Sequence, residues 1–189
     1  MMFMISQALS AMAFAIIVLM LLAGRKPLSE VVLPSHFHDL GTLLFAFVML
    51  WAYLSFSQFL IIWSGNLQEE IPWYLSRGNG AWGSLAIFLI IFHFAIPFML
   101  LLSRDVKRRK GTLAVVAATL ILMTWVDLCW IVMPSFDVLG PQIQWLWLNL
   151  AAPIGIGGIW IAAFIWQLKS RPLLPLNDPE FKGGASHGG

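Results

Sequence analysis

Five long stretches of this chain, residues 2–24, 40–64, 82–103, 112–134 and 144–168, contain a single formally charged side chain between them, Asp127. Each is long enough to cross a bilayer as a helix, which takes about 20 largely apolar residues. Inside hydrocarbon the backbone N–H and C=O groups have no water to bond. A spanning segment must satisfy them internally, and these segments are expected to do so as helices. The composition agrees: 60% of residues are hydrophobic and 11% charged, against roughly 45–50% and 25% in soluble domains. A soluble enzyme domain and a disordered chain are both excluded. The expected fold is all-α, a polytopic membrane helix bundle of five transmembrane helices over residues 1–168. A cytoplasmic tail, 169–189, follows; its Pro172, Pro175, Pro179 and closing glycines predict disorder.

Five spans place the two termini on opposite sides. One side receives Arg25, Lys26, Arg104, Lys107, Arg108, Arg109, Lys110, Lys169, Arg171 and Lys182, and the other only Arg77. Because Lys and Arg accumulate in cytoplasmic loops, the C-terminus is expected in the cytoplasm and the N-terminus outside. No positive residue precedes the first apolar run, and Arg25-Lys26 follow it, the reverse of a signal peptide. That run is expected to be a retained helix. Trp63, Trp73, Tyr74, Trp82, Trp145 and Trp147 fall near the outer interface, as an aromatic belt would.

Polar groups inside a span are unfavourable unless paired, so they are the functional candidates. At about 1.5 Å of rise per residue, Ser55, Ser57 and Gln58, Asp127 with Thr124 one turn before it, and Asn149 fall in the outer half, with His93 near the centre. Asp127 either stays protonated and bonds a neighbouring helix, or exchanges protons along a path formed with His93, Gln58, Ser55, Thr124 and Asn149. His93 lies four residues before Pro97, which lacks a backbone donor, and is read as a relay or as an interhelical hydrogen bond. Trp51, Ser55 and Gln58 share one helix face and can order water, meet a quinone carbonyl or simply join helices. His36, His38 and Asp39, at the cytoplasmic mouth of the second span, can collect protons or cap the helix. Ala151, Gly155, Gly158 and Ala162 form a small-residue stripe that admits a close partner helix, and Pro153 should kink the same span.

The other chemistries find little support. A net charge of +2 gives no field for nucleic acid. Cys129 stands alone, so no intrachain disulfide or thiolate cluster can form. The four histidines, 36, 38, 93 and 187, offer no pair at one depth for haem. No Cys-x-x-Cys-His, phosphate-loop or zinc spacing occurs. The chain is expected to bind no metal and no redox cofactor of its own.

The run Trp51-Ala52-Tyr53-Leu54-Ser55-Phe56-Ser57-Gln58-Phe59-Leu60-Ile61-Ile62-Trp63-Ser64-Gly65-Asn66, continuing Leu67-Gln68-Glu69-Glu70-Ile71-Pro72-Trp73-Tyr74, resembles alternative complex III, the bacterial quinol:cytochrome c oxidoreductase. It is similar to the second of that complex's two polysulfide-reductase-like membrane subunits. The likeness extends from the second span through the Arg104–Lys110 loop toward the fifth. Subunits of this type carry a further half-bundle, and this chain looks like their C-terminal half. The resemblance implies a multi-pass subunit of the bacterial cytoplasmic membrane, partnered by other membrane subunits and by haem and iron–sulfur subunits, that takes part in quinol oxidation and proton movement. Quinone is the small molecule it brings in, although the family's quinol site lies in the sister subunit. The competing readings are a small independent transporter or channel, against which stands the lack of an inverted repeat, and a purely structural membrane scaffold.

Reporter fusions at Gly111 and at Gly189 should both give a cytoplasmic signal. A periplasmic signal at either would overturn the orientation.

Overall fold

A computed structural model of the chain describes residues 2–25, 28–135 and 146–170; of Glu30, Pro34 and residues 146–149 it describes the backbone alone. The described residues form helices joined by short connections, with no strand among them. Five helices are long and apolar enough to cross a membrane: Met2–Leu22, Ser35–Ser64, Gly80–Leu102, Lys110–Ser135 and Leu150–Ser170. The chain is thus a multi-pass membrane protein in its build. In chain order the elements are α1 (Met2–Leu22), α2 (Leu28–Val31), α3 (Pro34–Ser64), α4 (Ile71–Gly78), α5 (Gly80–Leu89), a π-helical turn (Ile90–Ala95), α6 (Ile96–Leu102), α7 (Arg104–Arg108), α8 (Lys110–Val132) and α9 (Leu146–Ser170). They fall into two compact units, the first holding α1 and α3–α8, the second α2 and α9.

The first unit is a bundle in which α1 packs on α3 and α8, and α3 packs on α6 and α7. Burial repeats at helical spacing. On α3 the buried face is Phe37, Gly41, Leu44, Val48 and Trp51; on α8 it is Leu113, Val116, Ala117, Leu120, Met123, Thr124, Asp127 and Ile131. Steps of three and four residues keep one face toward the neighbours. The other faces are equally apolar yet exposed, as at Leu21, Phe56, Met99 and Val115. A bilayer supplies the apolar surroundings that such faces require.

Three local features depart from plain spans, each for a visible reason. α3 begins at Pro34, six residues before the expected start, because a proline fits the first turn and His36 Nδ1 accepts the Leu33 backbone N–H at 3.2 Å. The third span is broken by the π-helical turn, in which Ile96 N–H bonds Ile91 O. Pro97 has no N–H to return to the His93 carbonyl, and the helix widens by one residue around that gap. Between α4 and α5 the chain turns at Asn79 and at Gly80, whose φ of +59° suits a residue without Cβ.

Arg77, at the end of α4, fastens this connection to the bundle. It is 1% exposed. Its Nε donates to Trp130 O at 3.3 Å, Nη1 to Trp73 O at 2.9 Å and Ser76 Oγ at 3.2 Å, and Nη2 to Ile131 O at 2.7 Å and Ser135 Oγ at 2.8 Å. All five donors of the guanidinium are thereby used. Trp130 and Ile131 lie in the last turn of α8, whose carbonyls have no acceptor role left inside the helix and carry its negative end. The cation also lies 3.9 Å from the centre of the Trp73 ring. Burial lowers the guanidinium pKa from its ordinary value. Nearby, burial and then the Glu70 carboxylate raise that of the Tyr74 hydroxyl.

In the second unit, the described side chains of α9 are exposed or half-buried. Trp160 and Phe164, one turn apart, stack with ring centres 5.5 Å apart. The tail beyond Ser170 lies outside the described residues.

Arg77→Gln should lower stability by about 1–3 kcal/mol, since it strips donors from buried carbonyls. Arg77→Lys should recover part of the loss, having the charge without the planar fork. Thermal unfolding in detergent, with protease cleavage at residues 65–79 as a local probe, checks both.

Candidate functional site

The polar centre of the first unit is Asp127. It is 2% exposed and enters from α8. Its Oδ2 accepts two hydrogen bonds, from Ser6 Oγ of α1 at 3.2 Å and from Trp51 Nε1 of α3 at 3.2 Å. Indole N–H can only donate, so the acid acts as acceptor in that bond. With both bonds on Oδ2, Oδ1 is the oxygen on which a proton can be carried.

Trp51 does more than hold the acid. Its ring stacks on His93, with centroids 4.2 Å apart and planes at 28°. His93 is fully buried and sits in the π-helical turn. Among the described residues neither of its ring nitrogens has a hydrogen-bond partner, and the buried Ser55 Oγ, one turn along α3 from Trp51, has none either. Four elements thus meet at one indole: α3 supplies it, α8 and α1 meet its N–H end through Asp127 and Ser6, and the π-helical turn meets its face. An indole does not pass protons, so His93 and Asp127 are joined mechanically by Trp51. Exchange between them requires water or hydroxyl groups beside the ring.

The other sequence candidates separate. Thr124 is buried one turn below Asp127, and its hydroxyl donates to Leu120 O of its own helix at 2.8 Å. Gln58 is exposed. The side chain of Asn149 lies outside the described residues, as do Trp145, Trp147 and His187. His36 caps α3; His38 Nδ1 lies 3.5 Å from Asp39 Oδ1. These three are 12–15 residues before Trp51, roughly 18–23 Å along the helix, and belong to its mouth. On α9, Ala151 and Ala162 are exposed, and a Cβ at Gly155 or Gly158 would meet no atom within 4 Å. Among the described residues no three of His, Cys, Asp and Glu converge as a metal site would require.

Two partners of the acid were not read from the sequence as such. Trp51 was placed on the face of Ser55, but a tryptophan far from either end of a span carries a further signal: its N–H needs an acceptor. Ser6 gives no comparable signal, because a hydroxyl in a span can bond its own helix and so marks no particular partner. Lys and Arg counts mark Arg77 only as the lone outer cation; the sequence signal for its contact is Trp73 four residues earlier, which sets up a cation–π pair on one helix face.

Neither a family model nor a curated protein matches the chain.

Trp51→Phe should keep a ring against His93 while removing the N–H on Asp127. A loss of about 1–3 kcal/mol in unfolding free energy is expected. The same change at Trp63, which is 54% exposed, should stay within about 0.5 kcal/mol.

Proposed function

We propose that the chain is an integral membrane subunit of a quinol-oxidising respiratory complex of the quinol:cytochrome c oxidoreductase type. It resides in the bacterial cytoplasmic membrane, with its N-terminus outside and its C-terminus in the cytoplasm. It anchors haem and iron–sulfur subunits and holds no redox cofactor itself. Its own chemistry is proton handling at Asp127 and His93.

The observation that carries this reading is the coincidence of two features at Trp51. That residue opens the run that resembles the membrane subunit of such complexes, and it is also the residue that joins the buried acid to the buried imidazole. A bundle that needed only stability would be served by apolar side chains at these positions, since acid and imidazole groups in a span are unfavourable to insert. In the proposed path a proton reaches His93 near mid-membrane, passes by water and the Ser55 hydroxyl around the indole, and is taken up on Asp127 Oδ1. Ser6 and Trp51 hold Oδ2 throughout, so the carboxyl group keeps its position in either protonation state. The small-residue stripe of α9 supports docking against a further membrane subunit.

After extraction in a mild detergent, the chain should co-migrate on a blue-native gel with haem-bearing subunits, and migration alone would contradict the assembly. In the assembled complex, Asp127→Asn retains size and hydrogen bonding but removes the exchangeable acid. Turnover or proton release should fall by about 10²-fold or more, the scale of a lost proton-transfer group. Unchanged turnover and proton stoichiometry would eliminate the relay.

A further inference from the structure

The end of the first unit that carries the start of α3, α7 and the start of α8 is strongly positive. Arg104, Lys107, Arg108, Arg109 and Lys110 fall within seven residues, with Asp105 as the one acid among them. Among the described residues none of these cations has a carboxylate oxygen within 4.0 Å, and Asp39 at the same end is engaged with His38. Arg104, Arg108 and Arg109 are exposed. Arg109 and Lys110 lead into α8 at its positive end, where a helix disfavours cations.

Lys107 is built into the fold. It is 9% exposed. Gly41 makes room for its stem, since a Cβ there would lie 3.0 Å from Lys107 Cγ and 3.2 Å from Lys107 Cβ. Its Nζ donates to Thr42 Oγ1 at 3.3 Å and lies 5.6 Å from the centre of the Phe45 ring. Thr42 Oγ1 in turn donates a hydrogen bond to His38 O at 2.9 Å. An ammonium has three N–H donors, and one is met by Thr42. Lys110 Nζ similarly lies 5.2 Å over Phe37. The rings attract these ammonium groups but accept none of their N–H bonds, so Lys107 Nζ keeps donors for an anion beyond the one met by Thr42. Where a span leaves the hydrocarbon, lipid headgroups supply that anion, and basic sites between helix ends suit them. Exposed Leu43 and Leu102, next in sequence to Thr42 and Ser103, offer apolar surface for acyl chains.

We propose that this end of the unit binds the headgroup of an anionic phospholipid, its phosphodiester at Lys107 Nζ and Thr42 Oγ1 and its remaining charge among Arg104, Arg108 and Arg109. The site is independent of the respiratory assignment.

The test is lipid retention by native mass spectrometry of the full chain, purified from mixed micelles containing equal phosphatidylglycerol and phosphatidylcholine. The parent should retain phosphatidylglycerol with a preference of about tenfold or more, given the contribution of each cation near a charged headgroup. The exposed triple variant Arg104→Gln, Arg108→Gln, Arg109→Gln, which leaves the packed core untouched, should lose most of that preference. Thr42→Val should weaken it in part. Absence of a preference in the parent, or its survival in the triple variant, would overturn the proposal. Displacement of the lipid by millimolar inorganic phosphate would also overturn it, showing a site for a free anion.

Discussion

A carboxyl group inside an apolar bundle must find donors, and Asp127 finds them on two other helices. The rest of the first unit is arranged around that requirement. Ser6 fixes the depth of α1 against α8, and Trp51 fixes the rotation of α3. Lipid-facing helices gain little from hydrophobic burial against one another, because acyl chains are as apolar as leucine. Directed bonds of this kind therefore specify register in a bundle whose surfaces are apolar on every side. The stack of His93 on Trp51 extends the same specification to the π-helical turn.

The two ends of the unit follow a related rule with cations. Arg77 spends its donors on backbone carbonyls and hydroxyls and lays its charge on Trp73. Lys107 bonds Thr42 and faces Phe45. Among the described residues neither is paired with a carboxylate. At the Arg77 end the negative end of α8 supplies the compensating charge and all five donors are met. At the Lys107 end the compensation is incomplete, which is why a lipid anion belongs there and not at the other end.

The spans were legible because their signal is long and nearly free of charge; the five helices lie within a few residues of the boundaries read from hydropathy, except at the start of α3, and the expected start of the fifth span, 144–145, lies outside the described residues. That exception arose because His36 and Pro34 make a cap from residues that read as a polar loop. The importance of Asp127 was legible for the same reason as the spans: it is the one charged residue in them. Its partners were not, since a helix that is apolar all round gives no face pattern to say which side meets which neighbour. Depth placed Asp127, Gln58 and Thr124 in one layer, yet depth carries no rotation. Gln58 is exposed, and Thr124 bonds its own helix. His93 and Asp127 were paired by chemistry alone, and the indole lying between them could be found only from the packing.

The account stands on the Trp51–Asp127 bond as the element that locks the bundle. A double-mutant cycle with Trp51→Phe and Asp127→Leu, read as unfolding free energies in mixed micelles, tests that bond directly. A coupling of about 1 kcal/mol or more is expected, because each change removes the other's partner. Additivity within about 0.3–0.5 kcal/mol, the behaviour of independent sites, would contradict it.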